Sequence, residues 1–414
     1  MDNILADQTL GLKKRIQDDL RRLDEIYRVG VEIEICLLDD KSLPVNASPL
    51  IKELNSKYDV DAEYGKCQFE VKTAPISMHR LSIINVFFEE FIDYLGTAIN
   101  KVYKNKNVIP VFLGGNPSPD IFKKKLITRK ERYLNIYEWQ KNIPNIEIDG
   151  QEFRARNIAT AIQGFHLHLQ GLNPIYTTHM FNYILNLLPS AILLGSNSRL
   201  FAGRLFSLYE PRIYLYDYSE QQNSGFPAIP KYLDKIEDYI DYIASRPGPD
   251  ATNDYFGLEK DRHDDLRIRL NSPYYRVETR IMSVQPTPKE IVAMIEFFIG
   301  FLYRSILEGK PLRPLSSIRE ERLAVIRTGY NSKTHFNISE TAKTQLHVAK
   351  KGLKDLGLGP EFIGILENRL ENKTSPGEYV SRLWESKYNG NVYQTVSEII
   401  QHVWDKTKSN SPLL

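Results

Sequence analysis

An α+β fold with a mostly antiparallel sheet is what the sequence predicts, on three observations. Several short segments alternate apolar and polar residues, the period of a half-buried strand. Long apolar stretches at helical spacing lie between them, and the two kinds of segment mix irregularly, without the βα alternation of a doubly wound sheet. Past Pro314 the alternation ceases, so residues 315–414 read as helical.

In chain order, Leu12, Ile16, Leu20, Leu23 and Ile26 recur at intervals of three and four, which predicts an amphipathic first helix. A strand is expected over residues 29–39 and, after a Pro/Ser turn region, another over 68–73. A long helix over 81–103 follows, then a strand over 108–113 that runs into the turn GGNPSP. The basic run KKKLITRKERY, residues 123–133, reads as the solvated face of a helix, or as a lid. Residues 165–170 alternate as a strand and 176–195 form a buried helix. Segments 218–232 and 244–265 are rich in Pro, Gly, Ser and Asp and read as loops or lids. A strand over 274–282, the turn QPTP and a very apolar helix over 289–307 complete this part.

Hydrophobic residues make up 42% of the 414 residues and charged ones 26%, ample for a large core. The 54 basic and 52 acidic side chains leave a net charge of +2, which gives no reason to expect nucleic acid or a membrane as partner. The most apolar stretches, residues 180–194 and 291–307, are broken by Asn182, Asn186 and Pro189 and by Glu296 and Arg304. Both fall short of the roughly 18–20 apolar residues of a membrane span. Only two cysteines, Cys36 and Cys67, and no secretory leader are apparent, so a reducing, cytoplasmic setting is expected.

Four strands share one device. Side chains two apart on a strand share a face, so GVEIEICLL places Glu32 and Glu34 together, and QFEVKTAP places Glu70 with Lys72. GFHLHLQ does the same for His166 and His168, and YRVETRIM for Glu278 and Arg280. A generic wet sheet face would carry Thr, Ser and Lys; four Glu and two His converging there would repel or be wasted unless cations compensated them. Oxygen-rich ligation with one imidazole suits Mg²⁺ or Mn²⁺, and Arg280 and Lys72 beside it suit a polyanion such as nucleotide phosphates. No Walker-type loop, no G-x-G-x-x-G and no G-x-S-x-G occurs, so ATP would be held by metals and side chains on a sheet.

The ordered set GVEIE, FEVKT, KERY, GFHLHL, GSNSRLFAGR, GFPAIP and YRVETR with QPTP resembles the glutamate–cysteine ligase type 2 family, carboxylate–amine ligases related to glutamine synthetase, over residues 28–310. The resemblance implies a curved, mostly antiparallel sheet whose concave face forms a funnel, with helices outside. The change of character after Pro314 divides the chain into a catalytic domain, residues 1–314, and a helical region packed on it, residues 315–414, to which these motifs do not extend. The resemblance implies more of the site. It implies metal ligation by Glu32, Glu34, Glu63, Glu70, His166 and Glu278, and ATP binding by His166, His168, Arg132 and Arg280, with Tyr133 beside Arg132. Arg280 and Lys72 would stabilise the transferred phosphoryl group, and Asn197, Arg199 and Arg204 would line the substrate. The chain reads Ser196-Asn197-Ser198-Arg199 where proline usually follows the triplet, a departure that bears on which acid or amine binds.

The activity so implied is an ATP- and Mg²⁺-dependent ligase acting through γ-glutamyl phosphate, with glutamate and cysteine as its small-molecule substrates. The alternatives are a different acid or amine on the same catalyst, or a non-catalytic nucleotide or amino-acid sensor on the same fold. A homodimer is compatible with the sequence, which leaves the oligomeric state open.

Overall fold

The computed structural model describes residues 2–20, 27–123, 126–246, 254–271, 274–335 and 337–414. Its organising element is strand β1 (Arg28–Asp39), whose 12 residues are long enough to carry two partners on each edge. The other strands of the sheet are β2 (Asp59–Ala62), β3 (Gln68–Lys72), β4 (Ile76–Ser77), β5 (Val108–Val111), β6 (Gly164–Gln170), β7 (Leu266–Arg269) and β8 (Arg276–Ser283). They run in the order β7-β8-β6-β1-β3-β2, with β4 and β5 also paired to β1. Every ladder among them is antiparallel, and the sheet is not closed into a barrel.

One face of this sheet is dry. Val31, Ile33, Phe69, Val71, Phe165, Leu167 and Val277 are each at most 1% exposed. Of the helices Ser82–Val102, Pro174–Gly195 and Pro288–Glu308, which share one core with this face, Pro174–Gly195 packs directly on β7 and β8. Helices Pro174–Gly195 and Pro288–Glu308 begin with proline in the first turn behind a capping side chain: Asn173 accepts from Tyr176 N–H at 2.8 Å and Thr287 from Glu290 N–H at 3.3 Å. Among the described residues no helix is long and apolar enough to cross a membrane.

Beyond residue 314 the chain is helical, as expected, and its apolar residues join the same continuous core as the sheet. Helix Ile338–Asp355 crosses Pro288–Glu308 so closely that a Cβ on Gly352 would collide with the carbonyl oxygen of Gly300. Arg369, fully buried, pairs with the fully buried Glu290 and bonds to Leu194 O at 2.8 Å. The Trp404 ring stacks on Phe112 at 6.0 Å.

Several expectations change. The first helix is Asp2–Asp19; the periodic residues Leu23 and Ile26 lie outside the described residues. Of the basic run, residues 126–130 are not helical and Glu131–Tyr133 open a helix, behind an extended N-cap, Lys130, whose ammonium donates to Ala62 O at 2.6 Å. Lys124 and Lys125 lie outside the described residues. The segments expected as loops hold structure: helix Pro211–Glu220 runs into the first, and the second contains helix Tyr255–Asp261 and a two-residue strand, His263–Asp264, paired in parallel with Ser224–Gly225. Within that second segment, residues 247–253 lie outside the described ones.

Candidate active site

The sheet register brings the polar faces of separate strands into rows. Glu32 stands between Lys72 of β3 and His166 of β6, and Glu34 opposite Glu70. His168 stands opposite Glu278 of β8, which pairs in turn with Arg267 of β7. A β-bulge between Thr279 and Met282 gives β8 one residue more than β6 at this point. There the Arg280 N–H turns to Asp265 O at 2.8 Å, and the carbonyls of Arg280 and Ile281 accept from the Arg212 guanidinium at 3.3 Å each.

Around His166 the carboxylates close in. Its Nδ1 lies 3.2 Å from Glu32 and 3.9 Å from Glu70, and its Nε2 3.6 Å from Glu34. His168 Nε2 lies 3.2 Å from the other oxygen of Glu32. Glu34 also accepts from Gly164 N–H at 2.6 Å, and Lys72 bridges Glu70 at 3.1 Å and Asp61 at 2.8 Å. Glu278 is bound differently: Arg267 holds both its oxygens at 2.8 Å and Arg280 adds a third bond at 2.6 Å.

Two groups of donor atoms, Glu32–Glu70–His166 and Glu34–Glu63–Glu70, each gather within 4.8 Å and share Glu70. Burial, then the neighbouring Glu34, pushes the Glu63 carboxyl up to about 7; burial, then Glu63 and Glu32, pushes Glu70 well above the usual range. Burial acts on Glu32 too, but hydrogen bonds to His166 and His168 outweigh it and hold that carboxyl low. Burial and Arg280 push His166 down, so at neutral pH it is a neutral imidazole with a lone pair to give. Clustered carboxylates under mutual strain beside a neutral imidazole, with no thiolate in either group, are a donor set for a hard divalent cation such as Mg²⁺ or Mn²⁺. Glu278 belongs to neither group, its oxygens being taken by guanidinium.

A cavity of ≈ 240 Å³ opens beside this face, and Glu34, Glu63, Glu70, His166, Arg132, Tyr133 and Arg280 are among the residues that line it. Arg132 bonds to Lys260 O at 3.0 Å, and Tyr133 packs on Tyr64 with ring centres 5.2 Å apart. The three residues expected at the substrate are elsewhere. Asn197 is buried and donates to Phe112 O and Val284 O at 2.9 and 2.8 Å. Arg199 is held by Glu378 of a C-terminal helix at 2.6 Å, and Arg204 is exposed on a two-residue strand. None of the three lines the cavity.

Conversely, the cavity has walls that the sequence reading passed over: Arg212, Tyr216 and Glu220 from helix Pro211–Glu220, and His263, Arg267 and Arg269 from the chain leading into β7 and from β7 itself. For β7 a signal existed, since LRIRL alternates Arg267 and Arg269 with Leu266, Ile268 and Leu270. The helix gives a weaker one, its polar residues reading as a loop.

The model of glutamate-cysteine ligase family 2 matches residues 28–356. Among solved structures the chain is similar to a bifunctional glutathione synthetase from Pasteurella multocida, with TM-score 0.63 and 13% identity over 96% of this chain. It spans about half of that protein's length, 54%. It is also similar to a glutamate–cysteine ligase from Francisella tularensis in complex with AMP, with TM-score 0.58 and 12% identity over 94% of this chain and 90% of that one. At these identities the likeness is one of fold. No curated protein sequence matches the chain.

Proposed function

The chain belongs to glutamate-cysteine ligase family 2, and from that premise we propose that it is an ATP- and Mg²⁺-dependent carboxylate–amine ligase, joining glutamate to cysteine through γ-glutamyl phosphate. The observation that carries this reading is the pair of ligand groups sharing Glu70, all of whose members but Glu32 line one cavity with Arg280 and Arg132. Glu32, Glu70 and His166 would hold one divalent cation, and Glu34, Glu63 and Glu70 a second. Bound there, Mg²⁺ supplies screening of the triphosphate charge.

The γ-carboxylate of glutamate attacks the γ-phosphorus, the bond to the bridging oxygen breaks, and ADP leaves with the electron pair. That step asks for positioning and charge neutralisation rather than a protein nucleophile. Arg280, aimed by its bond to Glu278 and by the bulge, meets the transferring oxygens. Glu278 thereby acts on the reaction through the two arginines that it orients. Lys72, raised in pKa by Glu70 and Asp61 against the effect of burial, stays charged at the edge of the metal groups, and His168 stands beside them. Arg132 and Tyr133 line the same cavity and help to keep water from the acyl phosphate. In this reading residues 1–314 carry the catalytic face, and residues 315–414 brace it.

Phosphate release from ATP with Mg²⁺, glutamate and a panel of amines tests the proposal, with Glu70→Gln as control because that residue serves both ligand groups. Release that requires glutamate and cysteine together, and falls about 100-fold or more in the control, is the expected outcome. Release with another acid or amine keeps the mechanism and replaces the substrate. Tight ATP binding without release under any pairing would favour a sensor.

A further inference from the structure

The cavity has a second acidic pole that phosphoryl transfer leaves unused. Glu220, the last residue of helix Pro211–Glu220, lines the cavity while only 2% exposed. Its Oε1 accepts from Gln140 Nε2 at 2.6 Å, and Gln140 Oε1 in turn accepts from Tyr64 O–H at 3.4 Å. Its Oε2 faces His263 Nδ1 at 3.4 Å, and His263 also lines the cavity. Among the described residues His263 is its only basic partner at ion-pair range. Two residues after His263, the carbonyl of Asp265 accepts from the Arg280 N–H at 2.8 Å, so this pole lies next to the arginine assigned to the transferring phosphoryl group.

The second half of a ligase reaction needs such a group. A primary amine arrives largely as ammonium, which has no lone pair until a proton is removed. The carboxylates on the sheet are committed to the metal groups, and Glu278 to arginine. Resting on the ligase reading above, we propose that Glu220, backed by His263, is the catalytic proton acceptor for the attacking amine. Glu220 Oε2 takes one proton from the ammonium; the lone pair so freed forms the C–N bond at the acyl carbon, the C–O bond to phosphate breaks, and phosphate leaves with the electron pair and takes the second proton of the attacking nitrogen as hydrogen phosphate.

The electrostatics are those of a base. Burial pushes the Glu220 carboxyl up to about 8; Arg132 and Arg280 oppose that shift and Asp261 adds to it. The phenols of Tyr64 and Tyr216 also sense this carboxyl. Burial, then Arg280, Arg132 and Arg267, pushes His263 well down, with Glu278 acting the other way. A carboxyl titrating near the working pH beside a neutral imidazole can take a proton and release it in each turnover.

A purely structural role would be to tie Gln140 to the helix end, and the test separates the two. Glu220→Gln in the full chain is assayed with ATP, Mg²⁺ and glutamate against the amine that the wild type accepts and against hydroxylamine, a nucleophile already unprotonated at neutral pH. The expected result is a loss in kcat of about 100-fold or more with the amine. Hydroxylamine should rescue the variant to within about tenfold of the wild type, and Glu220→Asp should recover part of the amine rate. The proposal is overturned by no loss with the amine, or by Gln and Asp variants that fail equally with both nucleophiles. A wild type that releases no phosphate with any acid and amine would instead overturn the ligase reading itself.

Discussion

Arg322 sits in helix Leu315–Thr328, outside the strands that carry the candidate chemistry, yet two of the cavity's walls hang on it. It is 2% exposed and holds Asp265 through bonds of 2.5 and 2.8 Å and Asp217 through bonds of 2.7 and 3.0 Å. Asp217 belongs to the helix that brings Arg212, Tyr216 and Glu220, and the Asp265 carbonyl receives the Arg280 N–H. Arg322→Met removes the guanidinium and keeps most of the stem. Four charge-assisted bonds at about 1.5–3 kcal/mol each would sum to more than is lost when a buried pair is broken, since solvent and relaxation return part of it. The applicable figure is the cost of leaving a buried charge without its partner, about 3–5 kcal/mol. The sign with pH follows from Asp265, which burial already pushes up to about 6 against the pull of Arg322. Without Arg322 it rises further. A carboxyl raised in the folded state favours folding at low pH and loses that contribution as pH rises through its folded value. The deficit should therefore be larger at pH 8 than at pH 6. Urea unfolding of both proteins at the two pH values measures it, and a deficit below about 1 kcal/mol, or one equal at both, would refute the clamp.

Two further outcomes are expected. Because Glu63 titrates at about 7 without metal, and Glu70 above its usual range, Mg²⁺ must displace protons to bind. Affinity should tighten between pH 6 and pH 8, by up to about tenfold per unit for each proton released, which calorimetry in buffers of different ionisation heat reads directly. The metal-free protein should lose stability over the same range, since both folded values are raised, and Mg²⁺ should restore it; pH-independent affinity without proton release would contradict the assignment. Gly352→Ala places a methyl group against the Gly300 carbonyl, a backbone atom that cannot swing aside, and should cost at least the 1–3 kcal/mol typical of overpacking, roughly, in thermal or urea unfolding.

The strands that carry most of the site were legible because each repeats a period of two with chemistry on one face: Glu32 and Glu34, Glu70 and Lys72, His166 and His168, Glu278 and Arg280. The long buried helices were legible by their apolar content. What escaped was structure decided by distant partners. The stretch DRHDDLRIR looks solvated by composition, yet Asp264, Asp265, Arg262 and Arg267 are all buried, because their partners lie elsewhere in the chain: Arg322 for Asp265, Glu278 for Arg267, Tyr242 for Asp264 and Asn223 for Arg262. Strands of two residues, such as His263–Asp264, are too short to have a period at all. The substrate roles expected of Arg199 and Arg204 came from the family resemblance of the segment that follows an apolar helix, and proximity in sequence to that helix carries no information about which side of it meets the cavity.

The bulge in β8 has a consequence for how this sheet tolerates change in length. Its extra residue withdraws the Arg280 and Ile281 carbonyls from regular pairing and offers both to Arg212. Deleting Ile281 would let Thr279, Arg280 and Met282 match Leu167, His166 and Phe165 one for one, a more regular ladder than the natural strand has. The same deletion would leave the buried Arg212 without its acceptors and free Arg280 to follow the strand rather than the site. A regular ladder and a braced pair of arginines are alternatives for this strand, and the irregular register is the second of them.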